Sequence, residues 1–523
     1  MKLFSFLSRE HSIAKPGFNR WLVPPAALAI HLCIGQIYAY SVFNKPMTQI
    51  IGISTSAPDD WKFTTLGWIF SIALFMLGAS AALFGKWVER EGPRKAMFVS
   101  ALCFSGGFLI SALGVRLHQI WMVYLGNGVL GGVGLGLGYI SPVSTLIKWF
   151  PDKPGMATGM AIMGFGGGAM IASPLSVTLM DTFKSVSSTG VASTLLCIGI
   201  IYFCFMMFGV FTVRVPAKDW KPEGWTPGLT LKQNMVSHGY VDADTAIRTP
   251  QFYLLFGVLM LNVTAGIGVL GQASVMIQEL FSIASVGEKM AVTVAAAGGF
   301  VGLLSLFNMA GRFFWSSLSD KIGRRKTYNI FFLIGALLYV AIPIIGNTGS
   351  VELFVLCFCL IISMYGGGFA TIPAYLRDLF GTTQVGAIHG RLLLAWSAAA
   401  IIGPVLINYI RDYQIETLLM PPSKAYSITM YIMAGLLILG FICNSLVKPV
   451  LQKHFVISDA KSPEPSDSNS FVNEMNQSHL NKNISTDTNY SFYIKLLLAW
   501  LFVVTPMIWG ITQTLIKSLA LFN

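Results

Sequence analysis

Arg312 stands in an otherwise apolar run, Ala291 to Leu318, and its guanidinium keeps its charge at any physiological pH. Placing such a group inside a membrane span costs roughly 2.5–3.5 kcal/mol on insertion scales, so it is expected to face a water-filled path and to hold a partner. No Asp or Glu falls within the interior of any apolar segment, which leaves an anion from outside the chain as that partner. The expected chemistry is capture of a small anion, with its passage across the bilayer as the wider implication. Tyr38, Tyr40, Tyr139, Tyr365 and Trp396 each combine an apolar wall with a hydrogen-bond donor and are candidates for lining the same cavity. Gln36, polar in apolar surroundings, joins them. His31, the imidazole deepest in a span, is either a proton site or a neutral packing residue.

Composition sets the frame for these residues. Of 523 residues, 54% are hydrophobic and 11% are charged, against about 25% charged in a soluble domain. Apolar stretches near 21–43, 66–85, 96–115, 119–141, 156–180, 191–213, 251–277, 290–318, 327–346, 352–376, 386–408, 426–447 and 492–516 are each long enough to cross a hydrocarbon core of ~30 Å. The net charge of +12 does not indicate nucleic acid, because the basic residues fall in alternate loops. With the N-terminus in the cytoplasm, 24 Lys and Arg lie on that side and 8 outside, Arg312, Arg391 and Lys495 lying in or at the edge of spans. This is the positive-inside pattern of an integral membrane protein, read as one of a bacterial inner membrane. All seven Cys fall inside spans, which gives neither a disulfide framework nor a metal set. No cofactor and no removable signal peptide are expected.

The chain reads as two halves. Residues 1–215 and 251–448 each carry six spans, with a cytoplasmic linker at 216–250, a flexible polar linker at 449–490 and an additional span at 491–523. After the second span comes Gly85-Lys-Trp-Val-Glu89-Arg90-Glu-Gly92-Pro-Arg94-Lys95; after the eighth comes Ser316-Ser-Leu-Ser-Asp320-Lys321-Ile-Gly323-Arg324-Arg325-Lys326. Each time a carboxylate closes a helix, a Gly three residues on turns the chain, and basic residues follow. The pair resembles the cytoplasmic loop motif of the major facilitator superfamily, in which acid and bases latch neighbouring helices when the transporter faces outward. The first copy departs by Glu89 for the usual Asp, the second by Ser316 for the usual Gly. The resemblance implies an all-α membrane protein with the major facilitator fold, two six-helix bundles plus a thirteenth transmembrane helix.

Gly138-Tyr-Ile-Ser-Pro142, Lys148-Trp-Phe-Pro151, Gly164-Phe-Gly166-Gly167-Gly168, Thr249-Pro-Gln-Phe-Tyr253, Tyr365-Gly-Gly-Gly-Phe-Ala-Thr-Ile-Pro373 and Gly390-Arg-Leu-Leu-Leu-Ala-Trp-Ser397 together resemble the oxalate/formate antiporter family, over roughly residues 20–448. The last span is similar to the single-span small subunit that accompanies some such transporters. The resemblance implies exchange or uptake of small carboxylates, with an arginine of span eight, here Arg312, holding the anion. Members that exchange oxalate carry a lysine on span eleven where this chain has Trp396. One cation suits a monocarboxylate such as formate, lactate or pyruvate better than a dianion, which makes secondary transport of monocarboxylates by alternating access the expected function. An oxalate or other dicarboxylate exchanger is the alternative, with Arg391 as a second cation if it is not a gate residue; a non-transporting anion sensor is another. A coupled proton or counter-anion stays open. No enzyme is expected, since paired acids, metal clusters and nucleotide motifs are absent from the spans. No partner protein is expected either, and the chain is read as monomeric. If the thirteenth segment spans, the C-terminus lies outside.

Overall fold

The computed structural model describes residues 5–218, 220–225, 240–282, 292, 294–456 and 487–519. Thirteen helices among them are long and apolar enough to cross a membrane: α1 Arg20–Met47, α2 Phe63–Glu91, α3 Pro93–Arg116, α4 Ile120–Trp149, α5 Pro154–Phe183, α6 Val191–Thr212, α7 Pro250–Leu280, α8 Val294–Ile322, α9 Arg324–Thr348, α10 Val351–Phe380, α11 Val385–Asp412, α12 Ser427–Leu446 and α13 Asp487–Ser518. Helices are the expected solution here, because lipid offers no partner to a free backbone N–H or C=O. Parts of both expected linkers, 226–239 and 457–486, lie outside the described residues.

Helices α1–α6 and α7–α12 form two bundles. The helices outrun the apolar stretches at one end of the bundles: α4 continues to Trp149 and α10 to Phe380. Pro93, Pro154 and Pro250 each open a helix, where the missing N–H would have had no intrahelical partner. Thr249 and Ser350 cap α7 and α10 through their hydroxyls. Gly92 and Gly323 hold the same backbone conformation, with φ of +94° and +91°, at the equivalent α2–α3 and α8–α9 turns. Only glycine takes that conformation without strain.

The bundles meet along α5 against α8 and α2 against α11, and small residues make both contacts possible. A Cβ at Gly159 would lie 2.9 Å from the Arg312 carbonyl oxygen, and one at Gly85 would lie 2.8 Å from Ala387 Cα. Within the first bundle, α1 tightens from α-helix to a 3-10 turn at Gly35–Phe43. Gly35 there lies against α5, and a Cβ on it would sit 2.4 Å from the Phe165 carbonyl oxygen. These close approaches bring Arg312 within reach of both bundles.

Candidate functional site

Arg312 lies midway along α8 and is wholly buried. Its Nε donates to Asn308 Oδ1 at 3.0 Å, one turn back on the same helix, and its Nη1 donates to the Ile162 carbonyl of α5 at 3.3 Å. The guanidinium lies between two rings, 5.5 Å from the centroid of Phe165 on α5 and 5.2 Å from that of Phe369 on α10. Each ring presents a cation–π face to it, and the two faces come from opposite bundles. Among the described residues Arg312 makes no ion pair, and its Nη2 has no hydrogen-bond partner. A buried, oriented cation with a donor to spare is the arrangement that captures a carboxylate.

The structure brings most of the aromatic candidates around this point. Tyr139 of α4 stands 5.6 Å from Phe165, 5.4 Å from Phe369 and 6.3 Å from Trp396, ring centroid to ring centroid. Trp396 of α11 stands 4.9 Å from Phe369. The Tyr139 hydroxyl and the Trp396 Nε1 are both buried without a partner. Tyr365 of α10 adjoins Arg312 through Gly366, and its hydroxyl lies 3.3 Å from that of Tyr38 on α1, a contact across the bundles. Gln36 is buried on α1, its Nε2 without a partner. His31 lies edge-on to Tyr139 at 5.4 Å.

Two candidates fall elsewhere. Tyr40 turns into the α1–α4 contact, where it accepts from Asn127 Nδ2 at 2.9 Å. Arg391 points away from Arg312, its guanidinium donating to the Ala243 carbonyl and the Asp244 carboxylate of the inter-bundle segment. Phe313 and Phe314, which follow Arg312 in sequence, face outward at 41% and 58% exposure. The arrangement around Arg312 instead includes Phe165, Phe369 and Asn308, none of them singled out from the sequence, and His389 of α11 lies buried beside Tyr139. The signal for the rings was present: each is a Phe abutting glycines, in Gly164-Phe-Gly166 and Gly368-Phe, where a ring fills the space between close backbones.

The two loop motifs join the bundles at one end. Asp320 accepts the backbone N–H groups of Gly155 and Met156, both at 2.8 Å, and pairs with Arg324 at 2.6 Å. Arg324 also pairs with Asp378 at 3.1 Å. Glu89 accepts the Gly386 N–H at 3.2 Å and is held by Lys148. Each carboxylate thus faces the N-terminus of a helix in the other bundle, α5 or α11, where the helix dipole favours negative charge. Arg94 donates to the carbonyls of Phe6, His11 and Val213, Lys95 pairs with Glu91 at 2.7 Å, Arg90 is exposed beside Glu91, and Arg325 donates to Ser445. Lys86 of α2 and Arg391 of α11 hold Asp244 from opposite bundles, and these partners, Lys86 first, bring its carboxyl down to about 2.

The model of the Major Facilitator Superfamily matches residues 26–404 and again residues 280–522. The oxalate:formate antiporter of Oxalobacter formigenes is 25% identical over 389 residues, 74% of this chain and 83% of that one. The apicoplast pyruvate carrier 1 of Toxoplasma gondii is 24% identical over 387 residues, 64% of this chain and 68% of that one. The solved structure of the E. coli transporter FucP in its outward conformation shares the fold, at a TM-score of 0.58 and 13% identity, over 83% of this chain and all of that one. With the family model running through both bundles and solved transporters sharing their arrangement, the chain belongs to the major facilitator superfamily and is an integral membrane transporter rather than an enzyme.

Proposed function

We propose that this transporter carries small monocarboxylates, with formate, lactate and pyruvate as the first candidates, and that Arg312 is the residue that binds them. The observation that carries the reading is the Arg312 guanidinium itself: buried, held between Phe165 and Phe369, without an ion pair among the described residues, and with Nη2 free to donate. Trp396 and Tyr139 supply two further unpartnered donors beside it. One cation among aromatic walls matches one carboxylate on a small apolar body. The names of two relatives, an oxalate:formate antiporter and a pyruvate carrier, support a carboxylate as the cargo.

The mechanism follows from charge. A lone guanidinium in a dry site is costly, and a carboxylate on Nη2 neutralises it. Neutralisation lowers the cost of enclosing the site, so substrate favours the exchange of access between the two sides. The Tyr38–Tyr365 contact covers the site from the outer side, while Glu89 and Asp320 close the cytoplasmic side. In this reading residues 216–250 and 449–490 are cytoplasmic, the N-terminus is inside and the C-terminus, beyond α13, is outside.

The test is uptake of labelled lactate, formate and oxalate by purified protein in liposomes, with Arg312→Gln beside the wild type. Arg312-dependent uptake of lactate or formate is the expected result. Full transport by Arg312→Gln would sink the reading, and exchange of oxalate alone would replace it with a dicarboxylate exchanger.

A further inference from the structure

Two imidazoles that the anion reading leaves unused flank one phenol. His31 of α1 and His389 of α11 belong to opposite bundles and are both fully buried. Their ring centroids lie 5.4 Å and 5.6 Å from that of Tyr139. His31 Nδ1 is 3.1 Å from the Ala27 carbonyl oxygen. A carbonyl only accepts, so Nδ1 carries the hydrogen and Nε2 carries the lone pair. Among the described residues that Nε2, the Tyr139 hydroxyl and both ring nitrogens of His389 have no hydrogen-bond partner. Burying a polar group unpaired is costly, and apolar side chains of similar size would fill the same space without that cost.

Tyr139 is in ring contact with both imidazoles. His389 is four residues into α11 from its start at Val385, about 6 Å at 1.5 Å per residue. His31, eleven residues into α1 from Arg20, and Tyr139, ten residues from the α4 end at Trp149, lie deeper, at about 15 Å on the same scale. Arg312 of α8 is the charged group that acts on His31. Helix α5 presents Phe165 to Tyr139 and α10 presents Phe369 and Tyr365, while Arg312, Tyr38 of α1 and Tyr328 of α9 are the further ionisable groups that act on it. Toward the cytoplasm, Glu89 of α2 is already engaged by Lys148 of α4 and by the start of α11, and Arg391 of α11 is engaged by Asp244.

We propose that His31, Tyr139 and His389 form a proton relay that loads one proton for each carboxylate bound at Arg312, so that transport is electroneutral symport of anion and proton. The inference rests on Arg312 as the anion site. An imidazolium beside a bare guanidinium would place two positive charges in one dry cavity. A carboxylate on Arg312 cancels the first charge and makes the second tenable, so anion and proton load together. The proton forms an N–H bond on the lone pair of His31 Nε2; that bond breaks as the proton passes to the Tyr139 oxygen, and the original Tyr139 O–H bond breaks as its proton passes to a ring nitrogen of His389, leaving His31 and Tyr139 neutral. His31 and Tyr139 stand on one bundle and His389 on the other. Parting of the bundles at the cytoplasmic side therefore breaks the relay and releases the proton there.

The experiment uses the full chain in liposomes loaded with a pH-sensitive dye, lactate as the probe, and Arg312→Gln liposomes to subtract passive entry of the free acid. An inward lactate gradient is expected to acidify the lumen by one proton per lactate, with net uptake indifferent to an imposed membrane potential. The double variant His31→Gln, His389→Gln is expected to lose acidification while lactate–lactate counterflow, which moves no net proton, continues. Acidification by the double variant at the wild-type rate overturns the relay. So does Arg312-dependent net uptake by wild type that follows the potential and leaves the lumen pH unchanged, a result that needs no variant to fold. Absence of Arg312-dependent counterflow with lactate, formate, pyruvate and oxalate instead removes the anion reading, and the relay falls with it.

Discussion

Asp320, in the last turn of α8, accepts the backbone N–H of Gly155, in the first turn of α5, at 2.8 Å. The bond crosses from the second bundle to the first and sets a carboxylate on a helix N-terminus, an interaction worth about 0.3–1 kcal/mol when exposed and up to ~2 kcal/mol when partly buried. Because α8 carries Arg312 and α5 carries Phe165, the same pair of helices forms both the latch and the site.

Asp320→Asn keeps the shape and removes the charge, both from the α5 terminus and from Arg324. The expected outcome is a shift away from the state in which these helix ends meet by about 5–30-fold in population, corresponding to a loss of about 1–2 kcal/mol. Distances between spin labels at the Gly155 end of α5 and the Asp320 end of α8 should lengthen in the variant. Identical distance distributions in the two proteins would show that this bond does not hold the bundles together.

Gly166 tests whether the orientation of the guanidinium matters as much as its charge. A Cβ at this position would lie 2.8 Å from Arg312 Nε and 3.0 Å from its Cδ, and the side chain has no room to yield between Phe165 and Phe369. Overpacking of this kind costs about 1–3 kcal/mol, which is tenfold in affinity for every 1.4 kcal/mol. Gly166→Ala is therefore expected to weaken carboxylate binding by about tenfold while the protein still purifies as a single species. Normal affinity in a well-folded Gly166→Ala protein would mean that the guanidinium is not fixed at this position.

What could be read from the chain followed contrast. Arg312 is a charge in an apolar run, and the paired loop motifs put Gly92 and Gly323 where a positive φ is required, so the central residue and both turns were legible. The walls of the site carried a weaker signal, a Phe beside glycines. Phe165 and Phe369 are buried while Phe313 and Phe314 face outward, yet all four are aromatic residues in apolar helices, and a helix with lipid on one side and protein on the other shows little polarity difference between its faces. Helix ends were misplaced for a related reason: α4 and α10 keep their backbone bonds beyond the apolar stretch, through residues such as Lys148 and Arg377.

The inter-bundle segment offers a test by pH and salt. Lys86 and then Arg391 pull the Asp244 carboxyl from its ordinary 3.8 to about 2. A depressed value means that the contribution of this pair is complete above the ordinary carboxylate range and fades only as the pH falls through about 2. Hydrogen exchange in residues 240–249 is thus expected to be unaffected by Asp244 titration between pH 5 and 8, once the intrinsic rate is allowed for. Asp244 is half exposed, so salt should act instead: at 1 M the Debye length is about 3 Å. Faster exchange is expected in high salt and in Asp244→Asn alike. A variant that exchanges at the wild-type rate would remove Asp244 from the list of cytoplasmic contacts.

Helix α13 runs across the seam between the bundles. Within its first half the Trp500 Nε1 donates to the Trp21 carbonyl of α1 at 3.2 Å, and Phe502 packs on Phe205 and Phe208 of α6 at 4.4 Å and 4.5 Å between ring centroids. In its middle, Val503 and Met507 pack with Leu28, Leu32, Met170 and Met309, which belong to α1, α5 and α8. At the other end the Ser518 hydroxyl donates to the Gly299 carbonyl of α8 at 3.2 Å. Contacts within lipid draw on packing rather than on a hydrophobic drive, so close fit decides how firmly the helix is held. Truncation after Leu451 is expected to lower the melting temperature and the transport rate together, because the groove between α5 and α8 loses its cover beside Met309, one turn from Arg312. Phe502→Ala, which removes aromatic pairs worth about 0.5–1.5 kcal/mol each, is expected to reproduce part of the thermal loss with the helix still in place. Unchanged melting and transport in the truncated protein would show that α13 serves something other than this core.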